Sequence, residues 1–322
     1  MLLGLGKCAA VEVRRGKLME EGNIAMVDGR EIAMLTTEAR YKYLGIQQTF
    51  EIKQQENKKH TETQLMERVR KVLRTQLSSK NKMEAINIWA LPSLTYTAGV
   101  LTWSNTDLQR MDRRIQTTLV QHGLLHPNSA TERLYLPRKE GGRGLKCLEG
   151  ACRKEEEKLK AFFRLSNNPI HQWINSASNP PSSSGQASEG QSEAVSREDT
   201  LRQTWKAKPL HGRFHASLHQ EDVDIQASNT YLTQGYLYPQ TKGTLFAIQD
   251  QVVPTRSYTK HTIKQQIDST KCRLCNNAEE SVQHLSSGCS AIAGTKYLSR
   301  HDSMGTSDAL LAEPHHRVHN FV

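Results

Sequence analysis

A mainly α-helical protein with a small β piece at its front is what the sequence predicts. Three observations carry that prediction. Apolar residues recur at helical spacing from residue 52 to residue 166. Strand-like runs are confined to residues 8–46, where Asp28-Gly29 separates Ile24–Val27 from Ile32–Leu35. Near the far end, Cys272, Cys275, His284 and Cys289 stand in a C-x2-C-x8-H-x4-C spacing that suits a small metal-held unit.

Taken in order, residues 1–50 form the β piece, and a third strand-like run, Tyr41–Ile46, ends it at a glycine. Three short strands make no stable sheet alone, so this piece reads as the edge of something larger. Residues 51–170 form a helical block. Leu65, Val69, Val72, Leu73 and Leu77 mark one helix. Met83, Ile86 and Trp89–Ala90 mark a second that stops before Pro92, and Pro92 suits the first turn of a third, running through Leu94 and Leu101. Asn105 or Thr106 is placed to cap a fourth, with Leu108, Met111, Ile115 and Leu119 on one face. Leu134–Pro137 reads as extended and Gly141–Gly144 as a flexible turn. A last helix is expected over Leu145–Leu165, laced at i,i+4 by Arg153–Glu157, Lys154–Lys158 and Glu156–Lys160, the middle pair being of like sign. Residues 171–200 are expected to be a disordered linker, since 175–198 carries eight Ser and Pro180-Pro181, and Val195 is its one large apolar residue. Residues 201–270 return to helical sequence around Tyr231-Leu232, Tyr236-Leu237 and Leu245–Ile248. The knuckle occupies 271–302, and a polar tail with His315, His316 and His319 follows at 303–322.

The chain carries 43 Lys and Arg against 33 acids, a net charge of +10. Residues 52–160 alone hold 21 Lys and Arg against 12 acids, a surplus of nine. Charge gathered in one helical block favours a polyanionic partner, RNA or DNA. Arg110, Arg113 and Arg114 on one helix, and Arg138, Lys139, Arg143 and Lys146 around the glycine turn, are the candidate phosphate contacts. The bland alternative for any one of these clusters is a solvated helix face. No apolar run approaches the roughly 18 residues of a membrane span, and no small-molecule substrate is expected. Cys8, Cys147 and Cys152 form no disulfide framework, which suits the nucleus or cytoplasm.

Four soft or borderline ligands close a tetrahedron around Zn²⁺ and leave no open position for water. The knuckle is therefore expected to bind a structural zinc, the alternative being three free thiols and a surface histidine. Leu274, Val282 and Leu285 are the few large apolar residues within it, too few to fold it without the ion. Elsewhere no phosphate loop, zinc-protease helix or nucleophile elbow stands in the sequence. Asp222-Val223-Asp224 is the one close pair of aspartates. It imitates a metal-binding pair but reads better as the polar side of a half-buried segment.

Several of these segments together resemble the reverse transcriptases of non-LTR (LINE-type) retrotransposons. Gly6–Ala9 with its hairpin, then Tyr41–Ile46, is similar to the end of that family's palm. Leu91–Tyr96, Trp103, Asp112–Ile115 and Arg133–Arg138 through Gly142–Leu145 are similar to its thumb and the region after it. Leu210–Phe214, Ala247–Gln251 and the knuckle, ending near Tyr297 and Arg300-His301, are similar to its carboxy-terminal part. The resemblance is most specific at Arg133–Arg138 and at the knuckle, which in the site-specific branch precedes an endonuclease. It implies a palm-sheet edge at 1–50, a thumb-like block at 51–170, and a primer-grip-like role for Tyr43, Leu44 and Gly45. It further implies a parent reaction of target-primed, Mg²⁺-dependent RNA-directed DNA synthesis. The family's catalytic aspartates belong to sequence ahead of this stretch, so the chain is expected to be an inactive nucleic-acid-binding fragment of such an enzyme. A domesticated RNA- or DNA-binding protein and a decayed element without function are the alternatives.

Overall fold

The computed structural model describes residues 8–15, 17–19, 23–27, 29–32, 34, 41–48, 52–178, 197–234 and 237–308. Among them the fold is mainly α-helical with a small β piece. The polar tail from 309 on, residues 179–196 of the Ser-rich stretch, and Tyr236 lie outside the described residues.

The β piece is three separate antiparallel hairpins: β1 (Glu12–Arg14) with β2 (Lys17–Met19), β3 (Ile24–Ala25) with β4 (Glu31–Ile32), and β5 (Tyr41–Tyr43) with β6 (Ile46–Gln48). The second hairpin turns at Gly29, in the left-handed region at φ 80°, where the sequence places it. The third differs from expectation. Tyr41–Ile46 is not one strand: Leu44 (φ 47°) and Gly45 (φ 88°) form a two-residue turn with both φ positive. Glycine adopts this freely; leucine does so at a cost of order 1 kcal/mol. The turn is held from outside, since Tyr96 donates its hydroxyl to the Leu44 carbonyl at 2.9 Å. Asn57 anchors β6 by bonding both the amide and the carbonyl of Gln47.

The helical block runs α1 (Gln54–Arg74), α2 (Ser79–Ala85) continued by a π-helical turn (Ile86–Ala90), α3 (Pro92–Thr95), α4 (Asn105–Gln121), α5 (Glu132–Tyr135) and α6 (Leu148–Leu165). Leu65, Val69, Val72 and Leu73 are buried as their spacing requires, whereas Leu77 lies beyond the helix and is exposed. Ser104, not Asn105 or Thr106, caps α4, its hydroxyl accepting from Asp107 N–H. Leu108, Met111, Ile115 and Leu119 then face a core shared with α1, α2 and α6. The third helix ends at Thr95, short of Leu101, and α6 starts at Leu148 rather than Leu145. Along α6, Arg153 pairs backwards with Glu149, not Glu157, and Lys158 pairs with Glu155.

Leu134–Pro137 is the largest departure. Residues 132–135 make a single helical turn, and the backbone of 133–137 is then bonded back onto 142–145: Arg143 to Arg133, Gly144 to Leu136, Leu145 to Leu134. The glycine turn is consequently close-packed rather than flexible. A Cβ on Gly142 would lie 2.1 Å from the Leu136 carbonyl oxygen, so no other residue fits.

Beyond α7 (Pro169–Ser178) the chain resumes at α8 (Arg197–Ala207), followed by α9 (Gly212–Leu218), α10 (Ile225–Ser228), α11 (Thr230–Thr233), α12 (Pro239–Gln249) and α13 (Arg256–His261). The outer residues of the expected linker, 171–178 and 197–200, are thus helical. Leu237 is not. Trp205, Phe214 and Leu218 form a second core with Ala130 and Leu136 of the helical block. At its centre Arg133, with no exposed side-chain surface, donates to Asp250 at 2.7 Å, to Gln249 at 2.8 Å and twice to the Gly141 carbonyl. Its guanidinium lies over the rings of Trp205, Phe214 and Phe246. No helix of the described residues is long and apolar enough to cross a membrane.

Candidate metal centre and the basic helical surface

Cys272, Cys275, His284 and Cys289 come together: their four ligand atoms all lie within 4.8 Å of one another, so the group can hold a metal ion. Local backbone geometry explains how. The Cys272 amide bonds the Ala278 carbonyl and the Asn276 amide bonds the Cys272 carbonyl, curling the chain so that both sulfurs point inward. Asn276 takes φ 56°, a left-handed conformation that asparagine tolerates better than most residues. The second ligand pair comes from a π-helical turn, His284–Gly288, and the Cys289 that ends it. Tyr297 ties that pair together, its hydroxyl accepting from Cys289 N–H at 3.0 Å and facing the carbonyls of His284 and Leu285.

Cys275 Sγ lies 3.3 Å from His284 Nε2, and the Cys272 and Cys289 sulfurs are 3.9 Å apart. The Cys275 thiol titrates at about 6, lowered chiefly by the N–H of Asn277, with Ala278 and His284 adding to it. Cys289 is raised instead, because it is cut off from solvent. Apolar support is thin. Leu274 is exposed and Leu285 only half-buried.

Behind the ligands sits a buried carboxylate that sequence reading missed. Glu280 is 1% exposed and receives a fork from Arg273, together with the amides of Arg256 and Arg273. These donors hold its pKa down to about 2, the Arg273 side chain contributing most. Arg256 closes the clasp by donating to the Lys271 carbonyl at 3.0 Å. The knuckle is thereby fastened to the start of α13.

The candidate phosphate contacts divide four ways. Arg113, Lys139 and Lys146 are exposed, and no carboxylate pairs with them among the described residues. Arg110 and Arg114 are exposed but share one carboxylate, Glu62 of α1. Arg138 is half-buried and paired with Glu84 at 2.9 Å. Arg143 is not at the surface at all. It is 3% exposed, donates to the Leu124 carbonyl and to Ser79, and lies over the Phe246 ring, so it is a core residue. Tyr43, Leu44 and Gly45 sit at a hairpin tip, with Tyr43 and Leu44 exposed. Asp224 accepts the amides of Gln226 and Ala227 at the start of α10, which accounts for it as a helix cap and dissolves the imitation of a metal pair.

No family model matches the chain. It is similar to an uncharacterized protein of Caenorhabditis elegans, 29% identical over 146 residues, or 44% of this chain, and spans 40% of that protein's length.

Proposed function

We propose that the chain is a nucleic-acid-binding segment of the kind that follows the palm in LINE-type reverse transcriptases, stabilised by one structural zinc. The observation that carries the reading is the surplus of nine positive charges on residues 52–160, with Arg113, Lys139 and Lys146 exposed and without a carboxylate partner among the described residues. Cations in that state are free to displace counterions from a phosphate backbone. The packing supports the resemblance as well. Three segments similar to that family lie far apart in sequence, yet Arg133, Phe214 and Gln249-Asp250 meet in one buried centre.

Zinc suits the Cys₃His group. With Zn–S near 2.3 Å and Zn–N near 2.0–2.1 Å, a tetrahedron has ligand-to-ligand edges of about 3.5–3.8 Å. The 3.3 Å and 3.9 Å separations bracket those edges. Four protein ligands close the site, so the ion's contribution is to folding. In the parent reaction the nucleic acid held here would be the template and primer of RNA-directed DNA synthesis, with Mg²⁺ held elsewhere in the enzyme.

The test is binding of a fluorescent single-stranded oligonucleotide at increasing salt. The logarithm of affinity should fall linearly with the logarithm of salt, with a slope near 0.7 per phosphate neutralised. Replacing Arg113, Lys139 and Lys146 together by Glu should weaken binding to every sequence alike. Affinity that ignores salt, or that survives the triple replacement, overturns the reading.

A further inference from the structure

Arg143 and Lys242 are both almost wholly enclosed, at 3% exposure each, and they line one narrow crevice with Lys80, Arg138 and Ser79. Four cations there face one carboxylate, Glu84, which is engaged with Arg138. Asp250 is close enough to act on Arg143 but is bonded to Arg133 and Ala130. The Arg143 Nε is buried with no hydrogen-bond acceptor. Lys242 has no carboxylate or carbonyl partner among the described residues. A charge removed from water is retained only where an opposite charge or a set of acceptors compensates it. Here the protein supplies neither in full, and it places like charges side by side.

We infer that this crevice takes one phosphate group, gripped by Lys242 and the Arg143 Nε from within and by Lys80 and Arg138 at the mouth. As it stands the crevice has no room for a water molecule, so a phosphate enters only when the side chains at its mouth swing aside. The side chains at its mouth are long and flexible, and Arg138 is released by opening its one ion pair, to a Glu84 that is 40% exposed. Burial, and after it the nearby Arg143, Arg138 and Lys80, pushes Lys242 down to about 7, so its charge is lost as pH rises through neutrality and an anion bound there would restore it. The residues differ from those of the exposed basic surface, so the inference stands apart from the nucleic-acid reading. Two sources offer the same chemistry: a phosphate of a polynucleotide backbone, and free inorganic phosphate.

The test compares wild-type protein with Lys242→Met, which keeps an unbranched side chain one atom shorter and drops the charge. Thermal melts are run in sodium phosphate and in sodium chloride at matched ionic strength. Wild type should gain melting temperature with the logarithm of phosphate concentration. Phosphate stabilises any fold to some extent, so Lys242→Met should melt at or above wild type in chloride and gain clearly less than wild type from phosphate. An equal phosphate gain in both proteins, or none in wild type, refutes the site. If Lys242→Met fails to fold, Lys80→Ala at the mouth takes its place and should weaken phosphate binding several-fold by titration calorimetry; unchanged affinity refutes the site. The source is read with the oligonucleotide. A backbone phosphate is the ligand if Lys242→Met weakens oligonucleotide binding and free phosphate competes with it. Free phosphate is the ligand if oligonucleotide affinity is unmoved while the thermal gain persists. Failure of the nucleic-acid reading would appear separately, as no oligonucleotide binding beside an intact phosphate gain.

Discussion

Replacing Asp250 by Ala should be among the most damaging single changes in the helical part of the molecule. Arg133 is fully buried, and among the described residues Asp250 is its only carboxylate partner, at 2.7 Å. The same carboxylate accepts the Ala130 amide at 2.9 Å. Truncation therefore leaves a guanidinium with no counter-charge and a backbone N–H with no acceptor. Removing one partner of a buried pair costs about 3–5 kcal/mol. For a domain of this size each kcal/mol shifts the melting temperature by roughly 2–4 °C, so the loss should be about 6–20 °C. Three aromatic rings over the guanidinium soften the cost without replacing the carboxylate, which favours the lower half of that range. Chemical denaturation of wild type, Asp250→Ala, Arg133→Met and the double variant gives the coupling directly. The double variant should recover most of the loss, because nothing charged is then left without a partner. If Asp250→Ala costs less than about 1 kcal/mol, water reaches Arg133 and the reasoning fails.

Native mass spectrometry should find one zinc per chain and none in Cys275→Ser, whose knuckle should unfold while the melting of the helical block stays within a few degrees; equal zinc in both would show that the ligands are assigned wrongly. Asp112 is buried with one unpartnered oxygen, and burial raises its pKa to about 6. Its native pKa exceeds the unfolded value of 3.8, so the folded state holds more protons between those values and stability falls as pH rises from about 4 to about 6. Asp112→Asn should gain on wild type by up to about 3 kcal/mol on going from pH 4 to pH 7.5, and a gain that does not change with pH would contradict this. Glu280→Ala should detach the knuckle from α13, read as faster amide exchange at Arg256 and Arg273, whose N–H groups it now accepts; unchanged protection would show that other contacts hold the clasp.

What the sequence revealed depended on how local the cause was. Leu108, Met111, Ile115 and Leu119 are legible because a helix writes its own period into its buried face. The knuckle is legible because four ligands within eighteen residues need only two turns to converge. Leu134–Pro137 reads as extended because alternating Leu-Tyr-Leu suits a strand, while the helical turn there is imposed by the return of 142–145 along it. Arg143 reads as a surface cation in the sequence because arginine is seldom buried. Its burial depends on Phe246, about a hundred residues away, and no local pattern signals that. Leu44 at positive φ was equally silent, since a distant tyrosine holds it there.

One core joins what the chain separates. Ala130 and Leu136 lie before residues 179–196, and Trp205, Phe214 and Leu218 lie after them, yet all pack together, with Arg133 and Asp250 paired across the same gap. Cleavage within 179–196 would therefore leave each of these contacts in place. The two pieces are halves of a split protein. Expressed separately they should find each other, and the entropy of bringing them together replaces the loop that once did so. Foreign sequence placed in that stretch should be carried as a passenger, because α7 takes its position from α6 and α8 takes its position from α5 and α9.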